Sequence, residues 1–365
     1  MATVERGGPN RGTLVTALKW GVPLAGLAAL LSIGINNNTC PSSGAIWLRY
    51  TIFGLRSGAI YAMIALGYTM VYGVLQLLNF AHSEVFMIGT FAGLYTIKGL
   101  FRVGPNDHLG IGFLIVVIAG AIVLGALASG ITAVVMERVA YRPLRKRGVS
   151  RLAYLITAIG VSLTLSNLFL LLDGKKHLGL PVAWPAIGGP AGVTYPPTIQ
   201  HTPVFSVAGV PVDRPTILLL AVAVAMLIVL DRFVHGTRTG QGIRAVAEDP
   251  ETASLMGVNV DRIIVITFLV GGLMAGVAGS LFGIFFGQAQ FNIGFVPGIK
   301  AFTAAVLGGI GNIRGAMLGG LLLGLIENYG VACIGAQWQE VFAFIVLVGV
   351  LMFRPTGLLG ERVGG

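Results

Sequence analysis

The sequence predicts an all-α, polytopic membrane protein with about ten transmembrane helices. Of its 365 residues, 55% are hydrophobic and only 10% are charged, whereas a soluble globular chain carries about 25% charged residues. Apolar stretches of about 20 residues recur along the chain, and a helix needs this length to cross a hydrocarbon core of about 30 Å. A soluble fold accounts for neither observation.

Ten apolar stretches are the candidate helices. Hydropathy places them at 20–36, 52–75, 81–97, 111–136, 152–172, 215–231, 263–287, 298–311, 316–331 and 339–353. The last three are short for complete crossings, so we expect some of them to be tilted, broken or re-entrant. The first follows basic residues, as the core of a signal peptide does. Because no A-x-A cleavage site comes after it, we interpret it as an uncleaved helix.

Basic residues orient these helices. The positive-inside rule assigns the stretch 137–151 to the cytoplasm, because it contains Arg138, Arg142, Arg145, Lys146, Arg147 and Arg151. Counting crossings from there puts both termini and most Lys and Arg residues inside. The chain then divides into a cytoplasmic segment with the first helix (1–50), a transmembrane domain (51–360) and a cytoplasmic tail (361–365). Within the domain, 232–262 is an inner loop, and the proline- and glycine-rich stretch 173–214 is an outer loop.

The order of crossings also permits an internal repeat. Helices 2–5 start from the outside and helices 7–10 from the inside, so the two halves could be inverted repeats of the kind that many transporters use. Glycines recur at every fourth position in the second half, at Gly279, Gly283 and Gly287 and again at Gly311, Gly315 and Gly319, with Gly320 and Gly324 in a second register. This spacing lines one helix face with small residues. The face packs either this chain's own helices or a partner's.

Several functional classes lack their motifs in this sequence. Gly174-Lys175-Lys176 has neither the upstream glycine nor the following Ser or Thr of a Walker A loop, so we expect no ATP site in this chain. No nucleophile, base and orienting group form a recognisable catalytic set, which argues against an enzyme. The two cysteines form no CxxC pair, so no metal site is predicted. The net charge is +10, but the positively charged residues lie between apolar runs and form no basic face, so nucleic-acid binding is not predicted.

The densest polar set at membrane depth is Asn79, His82, Ser83 and Glu84, between two apolar spans. Such groups cost a few kcal/mol in the membrane unless they are paired or face a watery cavity. One interpretation is an interfacial turn in which Asn79 or Ser83 caps the next helix and Glu84 favours its N-terminus. The other is a broken helix whose polar groups line a substrate path.

Other polar residues give weaker indications. Gln288, Gln290 and Asn292, with Lys300 nearby, lie at an outer helix end, where we expect surface exposure. Arg56 and Glu327 fall within apolar spans and could pair with each other, although the sequence does not show that they meet.

Cys40 and Cys333 both fall on the outer side of the predicted topology. That side permits oxidation, so a disulfide between them is a possibility. The bond requires Cα atoms about 4.4–6.8 Å apart, which the sequence cannot establish.

The inner loop contains a predicted short helix from Ala247 to Val258. Glu248, Asp249 and Glu251 crowd its first turn, where negative charge is favourable, and Pro250 is tolerated only there. Gly257 is suited to a left-handed C-terminal cap. Apolar contact surface would come from Ala253, Leu255 and Met256.

Five ordered blocks of this sequence resemble the branched-chain amino-acid ABC transporter permeases, specifically the H-type member of the usual pair. The blocks are YAMIALGYTMVYGVLQLLNFAHSEVFMIG (61–89), ERVAYRPLR (137–145), RAVAEDPETASLMGVNVDRIIVITF (244–268), KAFTAAVLGGIGNIRGAMLGG (300–320) and RPTGLLG (354–360). The sequence departs from the family in its first 50 or so residues, in the stretch 181–214 and at Ser83, where glycine is customary.

The resemblance implies an ATP-driven importer of branched-chain amino acids in the bacterial inner membrane. It implies a second homologous permease, two cytoplasmic ATPase subunits that bind ATP and Mg, and a periplasmic solute-binding protein; this chain would hold no cofactor. It also implies that Ala247–Val258 is the coupling helix on which an ATPase docks. Urea, short-amide and aromatic-acid importers are similar to this family, so those substrates remain open. A passive channel is the alternative of another class.

Overall fold

Helices make up most of the computed structural model, which describes residues 40–77, 79–104, 107, 110–171, 192–199, 202–354 and 356–360. The first predicted span, at 20–36, and the proline-rich stretch 181–191 lie outside these residues. The described helices are α1 (Gly44–Leu75), α2 (His82–Leu94), α3 (Ile111–Met136), α4 (Arg142–Lys146), α5 (Arg151–Leu171), α6 (Arg214–Gly236), α7 (Arg238–Glu248), α8 (Pro250–Leu255), α9 (Val260–Phe286), α10 (Phe295–Gly308), α11 (Ile313–Ile334) and α12 (Gln339–Phe353).

Short irregular elements complete the fold. π-helical turns follow α2 and α3, at Tyr95–Leu100 and Glu137–Tyr141, and a 3₁₀ turn at Ala336–Trp338 precedes α12. The strands are β1 (Val193–Thr194), β2 (Pro203–Val207), β3 (Val210–Asp213) and β4 (Gln288–Ala289). β1 pairs with β4 and β2 with β3, both antiparallel. The predicted outer loop therefore contains strands, which an all-α description did not include.

The prediction of about ten transmembrane helices is not confirmed. Within the described ranges, seven helices are long and apolar enough to cross a membrane. α2 and α10 are shorter, with 13 and 14 residues. The shortness expected at 298–311 is present in α10. It is absent from α11, which has 22 residues and extends three residues beyond each end of the predicted span; Arg314 lowers the hydropathy of its first turn.

The bundle has two distinct ends. The disulfide end carries the segments 40–43, 192–199, 202–213 and 335–338, and Cys40 is bonded there to Cys333. The basic end carries 137–150, 237–259, 309–312 and 356–360. At this end Arg142 and Arg145 pair with Asp261. Both cysteines thus lie at the same end of the bundle, and the basic stretch 137–150 lies at the other.

Packing between the helices follows a repeated pattern. α1 packs against α11, and α9 packs against α3 in the same way; α2 lies on α9 and α3, as α10 lies on α1 and α11. A residue in the left-handed conformation caps the C-terminus of each long helix: Gln76 (φ 51°) follows α1, and Gly287 (φ 73°) follows α9. A short helix follows each of these ends. Exchanging α1–α3 with α9–α11 therefore preserves the main contacts.

Glycines allow the closest of these contacts. A side chain at Gly324 would collide with the backbone of Gly54 and Gly58 in α1, and one at Gly319 would collide with the backbone of α10. Gly279 is similarly closed in by the backbone of α2. These three glycines therefore pack this chain's own helices, as one of the two interpretations of the glycine spacing predicted.

Candidate functional site

The polar set at 79–84 lies inside the bundle. α1 ends at Leu75, yet the imidazole of His82 lies against Gly67, about 12 Å back along α1 at 1.5 Å per residue. The chain therefore turns at the end of α1 and re-enters before α2 begins. Asn79, His82, Ser83 and Glu84 are all buried.

The capping part of the interfacial-turn interpretation is wrong. Ala81 flanks the start of α2, and no side chain caps that helix. The Ser83 hydroxyl donates to the carbonyl of Phe80 at 2.7 Å, which closes its own turn. The physical reason is re-entry: the turn lies among helices, so neighbouring elements supply the partners of its side chains.

Those partners come from distant parts of the chain. The Tyr141 hydroxyl donates to Asn79 Oδ1 at 2.7 Å, and the Ser162 hydroxyl donates to Glu84 Oε1 at 3.1 Å. Three polar atoms of the set make no hydrogen bond of ordinary geometry among the described residues: Asn79 Nδ2, His82 Nε2 and Glu84 Oε2. The Ser166 hydroxyl also lies close to the Glu84 carboxylate, and the backbone of Ile64 lies close to the His82 ring. A buried polar atom without a partner is costly, so these atoms are suited to a ligand.

The second broken segment meets the first. α9 ends before Gly287, and α10 begins at Phe295. A side chain at Gly294 would collide with the backbone of Ser83, and one at Gly298 with the Ser83 side chain. The N-termini of α2 and α10 therefore converge, and each brings the positive end of a helix dipole to this point. Most N–H groups of these first turns, including those of His82, Glu84, Phe295 and Gly298, already donate to backbone carbonyls.

Aromatic rings border this meeting point. Tyr68 packs on His82 with ring centroids 4.7 Å apart and on Phe302 at 6.4 Å. Phe80 approaches Phe302 at 6.0 Å. The site thus combines helix N-termini, a carboxylate and an amide with an apolar wall.

The expectation that Lys300 is exposed is wrong. Lys300 is 3% exposed, and its Nζ lies 3.0 Å from Glu327 Oε1 and 2.9 Å from Glu340 Oε1. Tyr61 donates a hydrogen bond to Glu327 Oε2 at 2.9 Å. Lys300 is buried because α10 starts within the bundle, so that its second turn is already surrounded by helices.

Arg56, Gln288 and Gln290 lie outside the ion-pair cluster of Lys300, Glu327 and Glu340. The Arg56 guanidinium lies over the ring of Phe285, 3.5 Å from its centroid, so the considered pair between Arg56 and Glu327 is wrong. Gln288 and Asn292 are exposed, as expected, and Gln290 is half-buried.

The predicted single helix from Ala247 to Val258 is also wrong in its start. Ala247 and Glu248 belong to α7, and Asp249 is extended (φ −151°, ψ 107°). Pro250 has no N–H for a continuing helix, so it becomes the first residue of α8. Asp249 caps α8: its Oδ1 accepts from the Glu251 N–H at 2.9 Å, and its Oδ2 accepts from the Thr252 hydroxyl. The Thr252 and backbone hydrogen bonds hold the pKa of Asp249 below its usual value.

The end of α8 has the left-handed cap expected at Gly257 (φ 87°). The N–H of Val258 donates to the carbonyl of Ala253 at 3.0 Å, and that of Gly257 to Ser254 at 3.0 Å, which is the Schellman arrangement. Leu255 and Met256 protrude, at 86% and 81% exposed. Ala253 is buried and faces its own chain, so it offers no contact surface to a partner. The acidic side chains of Glu248, Asp249 and Glu251 are exposed.

Two features of the site had no usable signal in the sequence. Tyr141 and Ser162 reach the polar set from α3's π-helical turn and from α5, and their contacts depend on tertiary packing. Tyr141 lies in the block 137–145, but nothing in that block indicated a role for it. Among the described residues, no group of three or more His, Cys, Asp or Glu could hold a metal ion.

Comparison with known proteins gives one family. The model described as "Branched-chain amino acid transport system / permease component" matches residues 50–351. The high-affinity branched-chain amino acid transport system permease protein BraD of Pseudomonas aeruginosa is 42% identical over 86% of this chain and 96% of its own length. LivH of Escherichia coli is 41% identical over the same shares. The autoinducer 2 import system permease protein LsrC of Yersinia enterocolitica is 31% identical over 56% of this chain and 53% of its own. No solved structure matches. The chain belongs to the family of branched-chain amino acid transport system permease components.

Proposed function

We propose that this chain is the transmembrane permease subunit of an ATP-driven ABC importer for branched-chain amino acids in the bacterial inner membrane. It would act with a second homologous permease, two cytoplasmic ATPase subunits and a periplasmic solute-binding protein. This chain matches 96% of the length of relatives named as high-affinity branched-chain amino acid permeases, which supports the proposal. The apolar outer faces of α3, α5 and α12 provide surface for lipid and for a second permease.

The observation that carries the proposal is the buried convergence of two broken helices. The exchange symmetry of α1–α3 with α9–α11 supports an inverted repeat, and transporters of that kind bind substrate between repeats at discontinuous helices. The N-termini of α2 and α10 would attract a substrate carboxylate. Glu84 Oε2, which makes no hydrogen bond of ordinary geometry in the described part of the chain, would accept from a substrate ammonium group.

The apolar wall favours a branched aliphatic side chain. Tyr68, Phe80 and Phe302 offer ring surface beside the helix N-termini. Urea and short amides bring neither a carboxylate for the N-termini nor an apolar group for this wall, and aromatic acids without an amino group bring no ammonium group for Glu84. Branched-chain amino acids match all three parts of the site.

Charge distribution supports the orientation. The basic end carries the arginines of 137–150, so the positive-inside rule favours the cytoplasm for this end, which also carries residues 356–360. A crossing by the predicted span 20–36 would bring the N-terminus to the same side. The disulfide end would then face the periplasm, where a bond such as Cys40–Cys333 persists.

α8 is the proposed coupling helix. It is short, it is capped at both ends, and it presents Leu255 and Met256 to solvent at the basic end. An open groove of about 540 Å³ lies beside it, lined by residues of α7 and the start of α9 and by Gly257 and Val258. These exposed apolar side chains and the neighbouring groove provide a surface to which an ATPase subunit would bind, and a rigid helix would transmit its movement.

Replacing Gly257 by valine tests this function. A β-branched residue in the left-handed region costs about 1–3 kcal/mol, so the cap of α8 should fail and ATP-driven uptake should fall about tenfold, with normal membrane insertion. The measurement is uptake of labelled leucine into vesicles that contain the whole complex. Gly148→Val is the matched control, because Gly148 also has a positive φ (58°) at the basic end but lies outside α8. Equal ATP-driven uptake by Gly257→Val and the wild type would contradict the coupling assignment.

A further inference from the structure

The segment Glu137–Lys146 connects the proposed coupling region to the buried site. It comprises the π-helical turn at Glu137–Tyr141 and α4. One of its ends contacts the start of α9, four residues beyond Gly257, and Tyr141 contacts the broken segment before α2. No part of the proposed function uses these contacts.

The contact with α9 is an ion-pair cluster. Arg142 lies 3.1 Å from Asp261 Oδ2, and Arg145 lies 2.7 Å from Asp261 Oδ1. Arg145 also pairs at 3.0 Å with Glu137, whose side chain is fully buried. One guanidinium therefore holds both ends of the segment and the first turn of α9 together. Single exposed ion pairs contribute little, but a shared arginine between two carboxylates fixes relative positions.

The contact with the site is one hydrogen bond from a fully packed ring. Tyr141 is buried and packs on Phe268 of α9 at 5.4 Å and on Tyr154 of α5 at 6.4 Å. Its hydroxyl donates to Asn79 Oδ1, and Asn79 Nδ2 is left without a partner among the described residues. Asn79 lies outside both α1 and α2, and its own carbonyl accepts a turn hydrogen bond from the His82 N–H at 3.1 Å. π-helical turns such as the one that carries Tyr141 occur often at functional sites.

We infer that Tyr141 is a positioning residue that passes the movement of the coupling region to Asn79 through the Asp261–Arg142–Arg145 cluster. This inference rests on the proposed function. A displacement of α8 moves the start of α9, Asp261 carries α4 with it, and Tyr141 then shifts the Asn79 amide relative to the helix N-termini. The Asp261–arginine and Tyr141–Asn79 steps are direct contacts between neighbouring elements, and the part that would shift is the turn that carries Asn79.

Replacing Tyr141 by phenylalanine tests the inference, because it removes only the hydroxyl and keeps the ring packing. In the whole complex in vesicles, the amount of leucine transported per ATP hydrolysed should fall about fivefold, as expected for loss of one hydrogen bond. The quantity of ATPase subunit that purifies with the permease should be unchanged. Tyr50→Phe is the matched control, because it also removes one phenolic hydroxyl and keeps a packed ring, here against Phe53 at the disulfide end of α1; its ratio should equal that of the wild type.

A double-mutant cycle with Asp261→Asn separates positioning from a general loss of stability. If Tyr141 and Asp261 act in one connection, the double variant should transport as much leucine per ATP as the more impaired of the two single variants. If they act independently, the two reductions should multiply. A wild-type ratio in Tyr141→Phe, or multiplicative effects in the double variant, would overturn the inference. Absence of ATP-driven uptake in the wild-type complex would instead overturn the proposed function, so the two failures are distinguishable.

Discussion

Replacing Lys300 by methionine is expected to lower the free energy of unfolding by about 3–5 kcal/mol, the usual cost of removing one partner from a buried ion pair. The cause is Glu327, whose side chain is fully buried and loses its cation at 3.0 Å. Glu340 loses the same cation, but its side chain is 53% exposed, so water replaces the lost contact. The measurement is chemical unfolding of the purified permease in detergent.

Two further variants isolate the cause. Lys300→Met combined with Glu327→Gln should regain most of the lost stability, because the neutral amide still accepts the hydrogen bond from Tyr61. Glu340→Gln alone should change stability by less than about 1 kcal/mol, as exposed pairs do. A Lys300→Met permease as stable as the wild type would show that this cluster does not hold α10 in place, and a double variant no more stable than the single one would show that Glu327 is not the cause.

Replacing Glu84 by alanine, or Asn79 by alanine, is expected to reduce leucine uptake about ten- to a hundredfold, which corresponds to losing a hydrogen bond to a charged group. Both side chains are buried where the N-termini of α2 and α10 meet, and each has one atom without a partner in the described structure. Uptake is measured at matched membrane levels of protein. Glu84→Gln separates the need for charge from the need for shape.

Thr90→Val is the control for these variants. Thr90 is buried in the same helix, and its hydroxyl bonds only to the carbonyl of Phe86 in that helix, so uptake should persist. If Asn79→Ala and Glu84→Ala both transport leucine as the wild type does, the segment 76–84 is a structural turn and does not line the path.

Hydropathy predicted where most helices lie, but it could not predict depth. Lys300 illustrates the limit: its position near the start of an apolar span suggested the surface, whereas the re-entry of 287–294 carries that start into the bundle. Asn79 and Glu84 were recognised as unusual because charge and amide groups are costly in a membrane. The chain's return alongside α1, which decides between turn and broken helix, depends on tertiary contacts.

Local rules worked best where the structure is local. Gly257 has the left-handed conformation that a helix cap requires, as predicted. The start of α8 was misplaced because Glu248, Asp249 and Glu251 were all read as first-turn residues. In the structure Asp249 is the cap, and Pro250 ends the preceding helix. Tyr141 could not be predicted at all, since its partner Asn79 is 62 residues away in sequence.

Import of branched-chain amino acids by this permease should require ATP hydrolysis by its partner subunits. The most direct measurement is accumulation of labelled leucine in vesicles that hold the complete complex and the solute-binding protein, with ATP or with a non-hydrolysable analogue, and with urea, acetamide and phenylacetate as competitors. We expect leucine to accumulate above its outside concentration with ATP but not with the analogue. Isoleucine and valine should inhibit this accumulation, and urea, acetamide and phenylacetate should leave it unchanged. Equilibration without ATP, or transport of urea in preference to leucine, would contradict this expectation.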